Sequence, residues 1–242
     1  ISSRMTSQIR GLETGIRNAH DAISMISTAD GALIEVTNML QRMRELALQA
    51  SNGTTTSVDR NYLSAEYVNL AAEIERVAQN TQWNGKDILD GTANGTSATV
   101  AFQVGANGGQ TISVSFGNAT NGVVATVSGM LETVASAAPN LVAGTTASAI
   151  TKGTSAVTAI DTAITAVNSQ RATFGATMNQ LTYAIDNLSN VEVNAEASRS
   201  RIMDADYAVE TSELARTQII QQAGTAMLAQ ANQLPQTVLS LL

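Results

Sequence analysis

Cysteine is absent from the 242-residue sequence, so disulfides, thiolate metal ligands and cysteine nucleophiles are excluded together. Aromatic residues make up only 3% of the chain, too few to fill a thick globular interior. The apolar weight falls instead on Ala, Leu, Ile, Val and Met, which suit closely approaching helices. No run of about 18 apolar residues exists to span a bilayer. The opening residues, Ile1-Ser-Ser-Arg4-Met5, lack the charged start and apolar stretch of a secretory signal. The chain begins inside a periodic pattern without an initiator Met, which predicts that its natural N-terminus has been removed. Basic residues are also scarce. With 13 Lys and Arg against 20 Asp and Glu, the net charge of -7 repels phosphate backbones and argues against nucleic acid as a partner.

What is abundant is helical periodicity. From Ile9 the apolar positions Leu12, Ile16, Ala19, Ile23 and Ile26 step by three and four, the spacing of one helix face. A polar interruption at Thr28 to Asp30 changes the phase. Leu33, Val36, Leu40, Met43, Ala47 and Ala50 then continue the alternation, which predicts a stutter within one helix rather than a break, running to about Gln49. The segment Ser51-Asn-Gly-Thr-Thr-Thr-Ser57 supplies turn chemistry and an N-cap before a third stripe at Leu63, Tyr67, Leu70, Ile74 and Val77. Two helices joined in this way are expected to pack antiparallel.

Beyond Trp83 the pattern changes. Asn84-Gly85, Asn94-Gly95, Asn107-Gly108 and Asn121-Gly122 mark turns that accept positive φ. Residues 98–105 and 110–117 alternate apolar and polar side chains around Ala106-Asn-Gly-Gly109, which predicts a β-hairpin. Residues 118–153 are dominated by Ala, Thr, Ser, Gly and Val with weak periodicity.

The most regular stripe follows: Val157, Ile160, Ile164, Val167, Arg171, Phe174, Met178, Leu181, Ile185 and Leu188, apolar at every position but Arg171. Such a seam demands partner helices, since burying each large side chain contributes about 1.5–3 kcal/mol. The N-terminal helices are the expected partners, which would bring the two ends of the sequence together. A last helical stretch from about Asp206 carries Ile220, Ala223, Met227, Ala231, Leu234, Val238 and Leu241 on one stripe. Pro235 predicts a kink or an end near Leu234. The fold class is therefore mainly α with a small β region: an elongated antiparallel helical bundle or coiled-coil core with a hairpin-containing middle. The expected divisions are 1–117 for the N-terminal helices and hairpin, 118–153 for a short variable outer region, 154–205 for a C-terminal core helix and 206–242 for a terminal helical segment.

Catalytic signals are weak. His20 is the only histidine, and neither a metal-binding HExxH, a phosphate-binding loop nor a nucleophile elbow is present, so neither an enzyme nor a cofactor is expected. Asp204-Ala-Asp206 reads as negative charge opening the last helix, where it suits the helix dipole, rather than as a calcium site.

Several long motifs, in order, carry a specific resemblance: Leu40-Gln-Arg-Met-Arg-Glu-Leu-Ala-Leu48, Gln82-Trp-Asn-Gly85, Gln103-Val-Gly-Ala-Asn107, Ser200-Arg-Ile-Met-Asp-Ala-Asp-Tyr-Ala208, Gln221-Gln-Ala-Gly224 and Leu228-Ala-Gln-Ala-Asn-Gln-Leu-Pro-Gln-Thr-Val-Leu-Ser-Leu-Leu242. Together they resemble bacterial flagellin over roughly residues 1–117 and 155–242. The resemblance implies a structural filament subunit for motility that self-assembles through paired terminal helices. It implies an extracellular place in the flagellum, reached by export without a cleaved signal peptide and without insertion in a membrane. The implied partners are further copies of the chain, an export chaperone at the C-terminal helix and the filament cap. The helix that pairs with 206–242 in the family lies among N-terminal residues this sequence lacks, so that stripe is expected to depend on a partner. If ordered, it should show what covers Ile220, Met227 and Leu234.

By the same resemblance the first helical region is what the innate immune receptor Toll-like receptor 5 reads, with Arg42, Leu46 and Glu66 at contacting positions. The alternative role for that face is packing against the next subunit. The self-association seam comprises Val157, Ile160, Ile164, Val167, Phe174, Met178, Leu181, Ile185, Leu188, Ile220, Met227, Leu234 and Val238. Two rival readings remain open: a hook-filament junction protein, which shares the terminal-helix plan, and a flagellin-like surface protein that binds polysaccharide through its middle region. Ser and Thr from Thr120 to Thr158 are candidate O-linked glycan sites, and intact mass of the protein from its native source equal to the polypeptide mass would exclude them.

Overall fold

A computed structural model describes residues 1–91, 93, 97–117, 146–204 and 207–239. The order is helix α1 (Ser2–Ala50), helix α2 (Ser57–Asn80), strands β1 (Gln82–Trp83), β2 (Lys86–Asp87), β3 (Thr99–Gln103) and β4 (Thr111–Ser115), then helices α3 (Thr146–Met203) and α4 (Tyr207–Leu239). The fold is thus mainly α with two small antiparallel strand pairs, as the periodicity predicts. It divides into two compact units, Ile1–Thr6 with Asn194–Leu242 and Ser7–Val193. The smaller unit brings residues 1–6 beside the end of α3, where the Ser2 hydroxyl donates to the Met203 sulfur.

The larger unit is built on the α1 stripe. Ile9, Leu12, Ile26, Leu33, Val36, Leu40 and Met43 are all buried, so both phases of the apolar pattern lie on the inner face of one unbroken helix. Helix α3 runs antiparallel to it. Arg44 Nε lies 2.7 Å from Asp161 Oδ1, and nearer the N-terminus of α1 Asp30 Oδ1 accepts from Arg171 Nε at 2.8 Å. Arg171 is the charged interruption of the α3 stripe and Asp30 belongs to the polar interruption of the α1 stripe. The two breaks face each other. A half-buried charge without its mate is costly, so this pair fixes which residues of the two helices lie opposite.

Helix α2 returns against the end of α1. Its start is a capping box: Thr56 Oγ1 accepts from the Asp59 amide while the Asp59 carboxylate accepts from the Thr56 amide. Donation to the Asp59 carboxylate from the Thr56 hydroxyl, and then from the Thr56 amide, holds that carboxyl below its ordinary pKa. Buried Arg60 donates from Nε to the Ala50 carbonyl and from Nη2 to the Asn52 carbonyl, each at 3.0 Å, satisfying acceptors where α1 ends. Tyr67 and Ile74 are buried in the common core. Burial pushes the Tyr67 phenol well above its ordinary pKa, so it stays neutral.

The expected turn at Asn84-Gly85 has φ of 50° and 75° and joins β1 to β2, with Trp83 opposite Lys86. The sequence reading marked the turn but not these two-residue strands. The predicted second hairpin is present, with Thr99 opposite Ser115 and Gln103 opposite Thr111. Its loop is held by two glutamine side chains: Gln103 Nε2 donates to the Gly105 and Asn107 carbonyls, and Gln110 Oε1 accepts from the Asn107 amide. The loop rests on α1, where a Cβ at Gly15 would lie 2.9 Å from the Val104 carbonyl oxygen. At the other end Gln170 Nε2 of α3 donates to the Ser115 carbonyl, and Phe116 and Phe174 meet with ring centroids 5.5 Å apart.

Three expectations are corrected. Helix α3 begins at Thr146, inside the segment assigned to a variable outer region, whose residues 118–145 lie outside the described residues. Residues 146–153 contain no proline and lead directly into the apolar stripe from Val157, so the helix extends back through them by propagation, which costs less than nucleation. Pro235 does not end α4, which continues to Leu239, so the lost backbone bond is tolerated within a long helix. Nor is the α4 stripe covered: the described side chains of residues 208–231 are exposed, Ile220 at 59% and Met227 at 70%. With 33 residues rich in Ala, Gln and Leu, α4 exceeds the length of about 12–15 residues below which isolated helices are marginal, and it forms on local backbone bonds.

Two glycines in α1 should respond oppositely to alanine. Gly15→Ala forces a methyl against the Val104 backbone and should destabilise by about 1–3 kcal/mol, whereas Gly31→Ala, with open space around it, should stabilise by about 0.5–1 kcal/mol in denaturant titrations. For the capping box, a depressed folded-state pKa means that Asp59 contributes stability above its unfolded pKa and loses it as pH falls through the folded value. Protection of the amides at the start of α2, corrected for the intrinsic exchange rate at each pH, should therefore fall on acidification in the parent, and Thr56→Ala should show the lower protection already at neutral pH.

Candidate functional site

Two faces carry the residues singled out from the sequence. On the first, Arg42 of α1 donates from Nε to Glu66 Oε1 of α2 at 2.8 Å and from Nη1 to Glu45 Oε2 at 3.0 Å. The hydrogen bond to Glu66, then that to Glu45, raises the pKa of a guanidinium that is charged in any case. These three side chains form an exposed cluster with one more acid than base, bridging the helices. An arginine so held presents its planar face and remaining donors to a partner in a preset direction.

Leu46 departs from the expectation of an exposed anchor. It is 1% exposed and belongs to the core cluster, because it continues the buried α1 stripe one step beyond Met43. Exposed apolar side chains on these helices are ones the sequence reading passed over: Leu48 of α1 and Val58, Tyr62 and Val68 of α2, of which Tyr62 stands one helical turn from Glu66 on the same face. Their signal was present in the sequence as apolar side chains out of phase with the buried stripe.

The residues named as a self-association seam divide in two. Ile160, Val167, Phe174 and Leu181 are buried, and Val157, Ile164, Met178 and Ile185 pack partly buried against the same cluster, with Leu188 half-buried beyond them. This part of the stripe is consumed within the chain and is closed to a second copy. Ile220 and Met227 of α4 form the opposite case, exposed together with Leu214, Ile219 and Leu228. Leu234 and Val238 lie in α4, and their side chains are outside the described residues, as are Leu241 and Asp206 altogether. Asp204 donates its amide to the Ser200 carbonyl at the end of α3, so it closes that helix rather than opening the next.

Chemistry has little to work with. His20 is exposed on α1, and among the described residues no group of three His, Asp or Glu side chains gathers for a metal. No described helix is long and apolar enough to cross a membrane. What the arrangement offers is surface for other proteins.

Comparison with known proteins points the same way. Residues 1–94 match the bacterial flagellin N-terminal helical region and residues 157–242 the bacterial flagellin C-terminal helical region. A flagellin of Halalkalibacterium halodurans is 44% identical over 242 residues, covering 100% of this chain and 82% of that protein. The crystal structure of Bacillus cereus flagellin is similar at 32% identity with a TM-score of 0.57, covering 71% of this chain and 88% of that one. Xanthomonas campestris FlgL, at 14% identity and a TM-score of 0.62 over 82% of this chain, shares the fold alone.

The two kinds of position on α1 should separate by stability. Leu46→Ala is expected to cost about 2–5 kcal/mol in chemical denaturation, as for a buried leucine. Arg42→Ala should leave the thermal midpoint close to that of the parent, because its ion pairs are exposed.

Proposed function

This chain belongs to the bacterial flagellin family and is a structural subunit of the self-assembling, extracellular flagellar filament; from that premise we propose how its surfaces divide the work. The Ser7–Val193 unit is the rigid body, closed on itself by the α1 and α3 stripes. The α4 stripe is the self-association surface. The observation that carries this reading is that its large apolar side chains, Ile220 and Met227 among them, are exposed along a formed helix. Removing each from water on assembly contributes about 1.5–3 kcal/mol, a driving force repeated along the stripe. Before assembly the same face suits an export chaperone, and at the growing end it suits the filament cap. Export then proceeds without a cleaved signal peptide, and the chain has no enzymatic role.

The Arg42–Glu45–Glu66 cluster is the contact for an innate immune receptor of the Toll-like receptor 5 type, or for a neighbouring subunit, with exposed Tyr62, one turn from Glu66, rather than buried Leu46 as its apolar neighbour. Residues 118–145, the part of the expected 118–153 segment that precedes α3, are read as the short variable region. A filament role is favoured over a hook-filament junction by 44% identity to a flagellin along the whole chain, and over polysaccharide binding by the lack of Trp, Tyr, Arg and His in residues 118–153.

Ile220→Asp tests the assembly surface. The variant should keep the circular dichroism and melting of the parent yet add poorly to filaments under electron microscopy, and normal addition would overturn the assignment. For the receptor, Arg42→Ala with Glu66→Ala should reduce signalling in a reporter cell; an unchanged response would remove that role.

A further inference from the structure

Lacking cysteine, the chain holds all its sulfur in eight methionines, so an oxidant that would elsewhere be consumed by thiols meets thioethers first. Their surroundings differ sharply. Met25 and Met43 are 5% and 2% exposed in the core, and Met178 packs against that core with the Ser27 hydroxyl 3.9 Å from its sulfur. Met203, at the end of α3, is exposed, and its sulfur accepts a hydrogen bond from the Ser2 hydroxyl. Met227 is the most exposed methionine among the described residues, and it stands in the middle of the α4 stripe between Ile220 and Ala231.

We propose that Met227 is an oxidative modification site of the unassembled subunit, converted to the sulfoxide by hydroperoxides, and that the conversion blocks addition of the subunit to a filament. The second half rests on the reading of α4 as the assembly surface. In the chemical step the Met227 sulfur lone pair attacks one peroxide oxygen, an S–O bond forms and the O–O bond breaks. The transferred oxygen's proton passes to the departing hydroxide, which leaves as water. The thioether loses two electrons and the peroxide gains two. The product is a polar, strongly accepting group at the centre of an apolar face, and burying it against another subunit strands an acceptor among aliphatic side chains. Inside a filament the same side chain would be covered, so sensitivity belongs to the subunit in transit.

The experiment treats the soluble protein with hydrogen peroxide, maps sulfoxides by peptide mass spectrometry and follows addition to short filaments sheared from the native bacterium. Met227 should oxidise severalfold faster than Met25 and Met43, and addition should fall in proportion to its sulfoxide. Methionine sulfoxide reductases should restore addition, and Met227→Leu, which keeps the apolar face, should add normally after peroxide. Equal rates at Met227, Met25 and Met43 would overturn the site assignment. Loss of addition in peroxide-treated Met227→Leu matching the loss in the parent would overturn the blocking role. Failure of untreated protein to add would overturn the assembly reading and the blocking role with it, leaving the mapped selectivity as a separate result.

Discussion

The antiparallel seam between α1 and α3 is the constraint on which the rest of the larger unit depends. Small and branched side chains let the helices approach closely, but an Ala- and Leu-rich interface is permissive about sliding, since one aliphatic step resembles the next. The pair Asp30–Arg171 removes that freedom. It places one half-buried charge opposite its only compensating partner, and a shift by a helical turn would leave both without one. Arg44 with Asp161 repeats the arrangement nearer the end of α1, at a more exposed position where it adds direction more than energy.

With that register set, other features fall into place. The β3–β4 hairpin spans from Gly15 on α1 to Gln170 and Phe174 on α3, so it can dock only if those helices are correctly aligned. Arg60 plays the corresponding part at the other end by tying the last carbonyls of α1 to α2. The unit is held by apolar burial along its length and by a few directed polar contacts that decide where each element stops.

Much of this was legible in the sequence. The α1 and α3 stripes, the second hairpin and the motifs of the family were read from spacing, turn residues and order. Leu46 was misread because a motif says which residues recur, whereas burial is decided by helix phase, and Leu46 continues the inner face. Arg60 was passed over because its acceptors are backbone carbonyls, which carry no signature in sequence. The beginning of α3 was missed because a helix propagates back from its periodic stripe into residues 146–153, which carry no stripe of their own. The short β1–β2 pair escaped notice because two residues are too few to show alternation.

The helix α4 stands formed while its apolar side chains remain in water, which bears on kinetics. A segment that must fold as it binds crosses a nucleation barrier at the moment of contact, and its capture rate carries that penalty. On the proposed assembly role of α4, a backbone already helical before any encounter leaves alignment of a formed face, rather than a coil-to-helix transition, as the step each addition has to accomplish. Elongation on that reading is a docking problem rather than a folding one.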